Sequence, residues 1–258
     1  DSAFKSVSAL ERATVVKSFK YGGAKDTDPM NLEMVLMDLV GLVNDKDLAV
    51  KRHALESLNS IVHNQPQILK NEADSVLKLA LEETVVRQEL ITEVDLGPFK
   101  HKVDEGIPIR KAAYSLIASL VEKVGSRIEL SAVLETGIKG LEDAAEECLI
   151  LSLHILGRLT LIAPTLVLSS IDLIVDAFEK QVQKNLKLVS NVQSSEKAQN
   201  IMRAVLRVVE QLQRAPDIET SAKFAEFFKV VVQENPNVKD MYEKIVATAS
   251  QAILTEAF

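Results

Sequence analysis

Two stretches of the chain follow one pattern: Asp47-Leu-Ala-Val-Lys-Arg-His-Ala54 and, with one residue inserted, Glu105-Gly-Ile-Pro-Ile-Arg-Lys-Ala-Ala113. Each begins with an acidic residue and continues with an aliphatic residue (Val50 or Ile109), two basic residues and a small alanine. Behind both stretches, apolar residues recur at three- and four-residue steps, which predicts that each stretch opens an amphipathic helix.

The same spacing runs through almost the whole chain and predicts about eleven helices. The breaks between them contain glycine pairs, Asn-Asp or X-Pro, which are helix stop signals. Ser126, Asp217 and Asn235 are candidate N-caps, because their side-chain oxygens can accept a first-turn N–H. The predicted helices span residues 4–20, 29–43, 47–64, 67–85, 107–124, 127–140, 144–162, 165–188, 195–214, 218–234 and 237–255.

Helix pairs with an acid in the turn and two basic residues behind it are typical of HEAT-type repeats, whose period is about 40–47 residues. Helix starts at 47, 107 and 144 fit that period if the middle repeat carries an insertion of about twenty residues. A helix pair cannot cover its own apolar face, so neighbouring pairs must stack. We therefore predict an all-α fold, a single HEAT-repeat α-solenoid over residues 1–258, with another kind of all-α bundle as the alternative.

The composition favours helix and excludes several other classes. The 258 residues include 9 glycines and 7 prolines, about half of average usage, which is too few for the turns of a sandwich or barrel. A net charge of −7 argues against nucleic acid as a partner. One cysteine, Cys148, excludes an internal disulfide framework and fits a reducing compartment, and we expect the cytoplasm and nucleus. Because the chain starts at Asp1 rather than Met, we expect a fragment of a larger protein.

One apolar stretch, residues 148–171, has the length of a membrane span and contains only His154 and Arg158 as ionisable groups. An arginine near the centre of a span costs about 2.5–3.5 kcal/mol on insertion scales, and Pro164 interrupts the run. We predict a buried helix, a turn and the start of the next helix, with no membrane contact.

In residues 87–105 the apolar period changes from 3.6 to 2, which predicts an inserted β-hairpin. A two-residue loop at Gly97-Pro98 gives the tightest hairpin geometry. One face then carries two acid–base pairs and the other is mostly apolar, and both combinations stabilise paired strands. The predicted register pairs Leu96 with Phe99, Asp95 with Lys100, Val94 with His101, Glu93 with Lys102 and Thr92 with Val103.

Two interpretations of the hairpin are open. It is either a solvated surface insertion without a role or a binding element. A two-stranded hairpin alone is marginally stable in water, so its apolar face needs a cover, either its own solenoid or a partner. An apolar tip with Leu96 and Phe99 is costly to expose, which favours a partner.

Residues 84–114 resemble the C-terminal part of the cullin-associated, neddylation-dissociated proteins, also called TATA-binding-protein-interacting proteins. The hairpin tip, residues 97–101, is the most specific match. The pattern departs from the family at residues 146–148, where two glutamates and a cysteine replace the basic pair. Supporting matches lie at residues 50–55, 59–60, 63–66, 157–160, 202–205 and 235–236.

The resemblance implies a HEAT solenoid that wraps an unneddylated cullin–RING complex and is not catalytic. Its C-terminal end would bind the cullin N-terminal domain, with the hairpin where the substrate adaptor sits, and so promote exchange of substrate receptors. A separate N-terminal part of the same protein is a further expected partner, because that part of the family is missing from this chain. The implied partner-binding residues are Glu93, Val94, Asp95, Leu96, Gly97, Pro98, Phe99, Lys100, His101 and Lys102.

No enzymatic motif accompanies this pattern, so we expect no catalytic, cofactor-binding or metal site. Nucleophile elbows and phosphate or dinucleotide loops are absent from the sequence, and its four histidines never occur four residues apart. Glu142, Asp143, Glu146 and Glu147 could suggest a divalent cation site, but acids at a helix N-terminus explain them more simply.

Two further alternatives remain at this point. A HEAT-repeat scaffold or transport receptor for other proteins would use the same repeats, although the hairpin argues against it; an enzyme would need a constellation that the sequence lacks. Lys180, Lys184, Lys187 and Lys197 form a basic stretch that is either a solvated face or a contact for an acidic partner.

Overall fold

The computed structural model describes residues 8, 9, 12, 13, 17, 29–69, 71–96, 99–189 and 195–256. Within them the fold is all-α apart from one two-stranded antiparallel sheet. Most of the predicted helix at residues 4–20 lies outside the described residues. The elements are α1 (Pro29–Leu42), α2 (Leu48–Asn64), α3 (Ala73–Glu82), β1 (Ile91–Leu96), β2 (Phe99–Asp104), α4 (Ile107–Val124), α5 (Leu130–Gly140), α6 (Glu146–Ile162), α7 (Pro164–Leu168), α8 (Ile171–Val189), α9 (Ser195–Gln213), α10 (Ala222–Phe227) and α11 (Pro236–Glu256).

The chain divides into two compact units, Asp1–Val133 and Leu134–Phe258. In the first unit α2 packs against α1 and α4, and α4 also packs against α3. In the second unit α9 packs against α6, α8 and α11. Each unit is therefore a stack in which a helix covers the apolar faces of its neighbours, as an α-solenoid requires.

The apolar positions that the sequence placed on the inner helix faces form the core. Burial of each such aliphatic side chain contributes about 1.5–3 kcal/mol relative to its exposure. The periodicity therefore identified the packing face of both α2 and α4. The buried residues are Val50, Ala54, Leu58 and Ile61 of α2 and Ile109, Ala113, Leu116, Leu120 and Val124 of α4.

The turns before α2, α4 and α6 share one hydrogen-bonding pattern. This pattern corrects the predicted alignment of the repeats. Oδ1 of Asp45 accepts the backbone N–H of Asp47 at 2.9 Å. Oδ1 of Asp104 accepts that of Gly106 at 2.9 Å, and Oδ1 of Asp143 accepts that of Ala145 at 2.8 Å. The equivalent acids are therefore Asp45, Asp104 and Asp143, so the pairing of Asp47 with Glu105 and the inserted residue were wrong.

This alignment also measures the insertion. Asp104 follows Asp45 by 59 residues and Asp143 follows Asp104 by 39 residues, so the first interval is 20 residues longer. The hairpin strands lie inside that longer interval. An insertion of about twenty residues in one repeat, as the helix starts predicted, is thus the hairpin itself.

Three predicted helices are divided. Residues 67–85 form a 3₁₀ turn, Pro66–Leu69, followed by α3, and residues 218–234 form a 3₁₀ turn, α10 and a π-helical turn, Phe228–Gln233. The predicted helix at 165–188 is α7 and α8, separated at Ser169. The Ser169 hydroxyl donates to the Leu166 carbonyl at 2.6 Å, a local bond that competes with helix continuation.

Helix capping follows the sequence in part. Asn235 caps α11, since its Oδ1 accepts the N–H groups of Asn237 and Val238 at 3.2 and 3.3 Å. Asp217 does not cap a helix, because its backbone is left-handed with φ 61° and its side chain makes no cap bond. Ser126 lies inside a 3₁₀ turn rather than at a helix start.

The apolar stretch from residue 148 to 171 contains most of α6, then α7 and the first residue of α8, as predicted. No helix among the described residues is long and apolar enough to cross a membrane.

Candidate functional site

The hairpin connects α3 to α4 and has the predicted register. Strands β1 and β2 pair Thr92 with Val103 and Glu93 with Lys102, and the remaining pairs are Val94 with His101, Asp95 with Lys100 and Leu96 with Phe99. One further pair, Ile91 with Asp104, closes the base. Alternation along each strand therefore places Glu93, Asp95, Lys100 and Lys102 on one face.

The lower half of the hairpin is open to solvent on both faces. Thr92 and Val103 are exposed on one face, with Val103 43% accessible, and Glu93 and Lys102 are exposed on the other. Of the other predicted site residues, Gly97 and Pro98 lie outside the described part. For Val94, Asp95, Leu96, Phe99, Lys100 and His101 the structure describes the paired backbone alone.

A buried ion pair fixes the base of the hairpin to α4. Asp104 is the last residue of β2, and its Oδ2 lies 2.9 Å from Nη1 of Arg110, a residue that is 2% exposed. The same carboxylate accepts the Gly106 N–H through Oδ1. The backbone N–H of Glu105 donates to the Leu90 carbonyl at 3.0 Å. Strand, turn and helix are therefore joined at one point.

Gly106 is favoured at this junction by close packing rather than by its backbone angles, since its φ is −77°. A Cβ at this position would lie 3.1 Å from Asp104 Oδ1, 3.2 Å from Arg110 Nη1 and 3.3 Å from Leu90 Cδ1. These contacts are tighter than ordinary van der Waals distances, so a side chain here would require its neighbours to shift by a few tenths of an ångström. The glycine thus lets the hairpin base lie directly against the start of α4.

A second buried cluster holds the segment that enters the hairpin. The Glu83 carboxylate, just after α3, accepts Lys51 Nζ of α2 at 2.5 Å and Arg87 Nη1 at 2.7 Å. Burial raises the pKa of Glu83, but the hydrogen bonds from Arg87 and Lys51 outweigh burial, so its pKa lies below the ordinary value. The ionised carboxylate is therefore the form that this cluster stabilises.

The sequence did not identify these four anchoring residues, Lys51, Glu83, Asp104 and Arg110, as part of the site. A signal was present, because the buried basic residue lies six positions after the turn acid in two repeats: Lys51 after Asp45 and Arg110 after Asp104. In the third repeat the same position is Leu149, which is apolar and buried. The departure from the basic pair, which was expected at residues 146–148, thus begins one residue later, at Leu149.

The acidic and basic clusters singled out by the sequence lie in the second unit. Glu146 and Glu147 lie in the first turn of α6, and the Asp143 side chain binds the turn backbone, in agreement with the helix N-terminus interpretation. Among the described residues no group of three His, Cys, Asp or Glu is placed to hold a metal ion. Lys180, Lys184, Lys187 and Lys197 are all exposed.

Several curated proteins are similar to this chain over most of its length. The chain is 31% identical over 234 residues to Cullin-associated NEDD8-dissociated protein 1 of Dictyostelium discoideum, which is 90% of this chain and 19% of that protein. It is also 31% identical over 237 residues to Cullin-associated NEDD8-dissociated protein 2 of Rattus norvegicus, which is 91% of this chain and 18% of that protein. The chain thus spans about a fifth of the length of these curated relatives.

One relative is itself a C-terminal piece. The protein of Emericella nidulans named Cullin-associated NEDD8-dissociated protein 1, C-terminal part, is 29% identical over 213 residues, which is 81% of this chain and 20% of that protein.

Solved structures show the same fold at low identity. A chain from the Kap95p–RanGDP structure has a TM-score of 0.70 at 13% identity and covers 96% of this chain and 29% of that one. A designed armadillo repeat protein has a TM-score of 0.55 at 18% identity and covers 95% of both chains. These likenesses show the α-solenoid fold alone.

A family match connects these observations, because it includes the hairpin and both anchoring acids, Glu83 and Asp104. Residues 68–232 match the family described as TATA-binding protein interacting (TIP20), and this chain belongs to that family.

Proposed function

We propose that this chain is a non-catalytic regulator of cullin–RING ubiquitin ligases. It binds the cullin N-terminal domain through the hairpin, competes there with the substrate adaptor and so promotes exchange of substrate receptors. The observation that carries the proposal is a hairpin exposed on both faces of its lower half yet fixed at its base by a buried ion pair. The names of the relatives, which are cullin-associated, supply the class of partner.

The anchored base favours a binding role over a solvated surface insertion without a role. A two-stranded hairpin without support is marginally stable in water. Its residues would therefore become ordered only on binding, and the lost conformational entropy would weaken the complex. Here the ion pair of Asp104 and Arg110 and the Glu83 cluster hold the base of the hairpin in the free chain. Less conformational entropy is therefore lost when a partner binds. A preorganised element loses less freedom on binding, which strengthens the complex.

The tip supplies the contact in this proposal. Leu96 and Phe99 are paired across the last rung of the ladder, on the face that also carries Val94 and Val103. An aromatic residue beside an aliphatic one is a common anchor of protein interfaces. The paired charges of the opposite face keep the free hairpin soluble.

The proposal includes a second partner, the N-terminal part of the same protein. Because the chain spans about a fifth of its relatives, a separate N-terminal part would supply the remaining contacts around the cullin. The buried thiol of Cys148 is compatible with a reducing compartment, and we propose the cytoplasm and nucleus as the location. The likeness to Kap95p at 13% identity gives no specific reason to prefer a transport receptor.

Substitution of Phe99 by alanine tests the proposal. Loss of a buried aromatic anchor commonly costs about 2 kcal/mol or more, so competition with the adaptor should weaken by roughly tenfold or more. The measurement is displacement of a labelled adaptor from a cullin, beside the melting temperature. Leu173→Ala, at an apolar position of α8 that is 61% exposed, is the matched control and should leave displacement unchanged.

Two outcomes would contradict the proposal. Unchanged displacement by the Phe99→Ala variant at an unchanged melting temperature would show that the hairpin does not compete. A large fall in melting temperature would show that the tip packs on its own solenoid.

A further inference from the structure

In the second unit, a groove follows one stripe of α9. Gln199, Arg203, Arg207 and Gln211 lie four residues apart and share one line along this helix. Against α11 they line a cavity of about 720 Å³, and against α6 the last two of them line another of about 270 Å³. The stripe therefore runs between two neighbouring helices rather than on an isolated surface.

The two arginines of the stripe are exposed and are not neutralised. Arg203 donates to the amide oxygens of Gln199 and Asn200 at 3.0 and 3.2 Å, and both partners are uncharged. Among the described residues no carboxylate forms an ion pair with Arg203 or Arg207. Both guanidinium groups thus keep their full charge toward solvent.

The acids of the groove already have cationic partners. Glu210 forms an ion pair with Arg214, and Asp240 pairs with Lys244 at 2.7 Å. The groove is therefore positive in a chain whose net charge is −7.

Apolar side chains accompany the charges. Met241 and Ile245 of α11 are half-buried in the larger cavity, and Leu161, at the end of α6, is 58% exposed in the smaller one. A ligand in this groove would meet positive charge along its centre and apolar surface at its sides. That combination suits a peptide better than a free anion.

We propose that this groove binds an extended acidic segment of a partner protein, with acidic side chains at every second position. Arg203 and Arg207 are about 6 Å apart along the helix axis, four residues at about 1.5 Å each. Alternate residues of an extended chain are about 6.7 Å apart and point to the same side. Two acids of such a segment can therefore face the two arginines together.

The groove is distinct from the hairpin, and the inference does not depend on adaptor competition. A nucleic acid is a poorer occupant, because Glu210 and Asp240 line the same cavity and would lie close to a continuous run of phosphates. An acidic peptide can place neutral residues opposite those carboxylates.

The test uses the whole chain, three labelled peptides of equal length and a labelled single-stranded oligonucleotide, measured by fluorescence anisotropy. The first alternates Asp with Ser, the second has the same composition with its Asp residues consecutive, and the third alternates Lys with Ser. We expect binding of the alternating Asp peptide, weaker binding of the block peptide and none of the Lys peptide. The binding should weaken with added salt, since exposed charges are screened.

Variants then locate the site. Reversal of both charges, Arg203→Glu with Arg207→Glu, should weaken binding by about tenfold or more. Lys180→Glu with Lys184→Glu is the matched control, because these lysines are also four residues apart and exposed on α8 of the same unit. The control should bind like the original chain, and both variants should keep its melting temperature.

Several results would overturn the inference. They are equal loss of binding in both double variants, absence of binding to the alternating Asp peptide by the folded chain, and tighter binding of a single-stranded oligonucleotide than of that peptide. Equal affinity for the alternating and block peptides would overturn the extended geometry.

Discussion

At the scale of the residue, neighbouring basic side chains have opposite environments. Lys51 and Arg110 are buried and paired with acids, whereas the next residues, Arg52 and Lys111, are exposed. Successive residues of a helix point about 100° apart, so one of the pair faces the neighbouring element while the other faces solvent. The first basic residue of each pair therefore joins its helix to a neighbouring segment, whereas Arg52 pairs within its own helix, with Glu56 at 3.0 Å.

We predict that Arg110→Met destabilises the chain and that Lys111→Met does not. The first substitution leaves the Asp104 carboxylate without its cationic partner at a partly buried position, which costs about 1–3 kcal/mol. The second removes an exposed charge and should change the free energy of unfolding by about 0.5 kcal/mol or less. Urea denaturation of the original chain and of the two variants measures both changes in the free energy of unfolding. Equal stability of the two variants would show that the ion pair does not hold the hairpin base.

At the scale of the element, the hairpin is specified more strongly than the helix ends around it. Its register is fixed by a period of 2 and a two-residue loop, because a shift by one residue would exchange its charged and apolar faces. The helix breaks depend instead on single side-chain bonds such as that of Ser169. Local competition of this kind divides α7 from α8 without a change in the apolar period.

The register makes a prediction about Asp95 and Lys100, which are directly paired. Asp95→Lys alone or Lys100→Asp alone places like charges opposite each other, which destabilises paired strands. The double variant restores an opposite pair. We expect both single variants to lose amide hydrogen-exchange protection in β1 and β2 by up to about 1 kcal/mol, and the double variant to regain most of it. Equal loss in all three variants would contradict the observed register as the solution state.

At the scale of the whole molecule, the two carboxyl groups among the described residues that combine burial with a lowered pKa, Asp45 and Glu83, lie in the first unit. Two hydrogen bonds from Arg12, at 2.7 and 3.0 Å, lower the pKa of Asp45, and Glu83 also has a lowered pKa. Both residues belong to the first unit. In the second unit the Lys139 bond lowers the pKa of Glu135, but that pair is fully exposed and contributes little.

We predict that the first unit unfolds before the second as pH falls. A carboxyl whose folded pKa is lowered stabilises the fold above its unfolded pKa, about 3.9 for Asp and 4.3 for Glu. That stabilisation is lost as the pH falls through the folded pKa, when the unfolded state takes up protons more readily. Pulse proteolysis with pepsin at decreasing pH, read by mass spectrometry, should therefore show first cuts within residues 29–133.

Two neighbouring glutamates provide the control for this prediction. Glu83→Gln removes the charge of the buried cluster, so it should lower stability at neutral pH and make the acid loss less steep. Glu82→Gln changes an exposed residue next to it and should follow the original chain. First cuts in the second unit, or an unchanged acid profile for Glu83→Gln, would show that the cluster does not control acid unfolding.

The sequence by itself determined the elements that depend on neighbours along the chain. The helical class, the apolar faces of α2 and α4 and the hairpin register were predictable, because backbone hydrogen bonding imposes a period of 3.6 or 2 within a few residues. The insertion of about twenty residues followed from the same repeats. Where the predictions of helix ends and caps were wrong, the cause was local and not visible in the apolar period: a left-handed backbone at Asp217 and a hydroxyl bond to the preceding turn at Ser169.

Only the tertiary structure decided which distant residues meet. The pair between Lys51 and Glu83 joins residues 32 positions apart, and the α9 stripe gains its groove from α6 and α11. Such contacts depend on which helices stack and at what offset, and an alignment that is wrong by one residue, as when Asp47 is matched with Glu105 instead of Gly106, assigns the wrong acid to the turn. Packing therefore selected Asp104, Arg110 and Glu83 as the anchors of the candidate site, whereas the hairpin that they hold was already evident in the sequence.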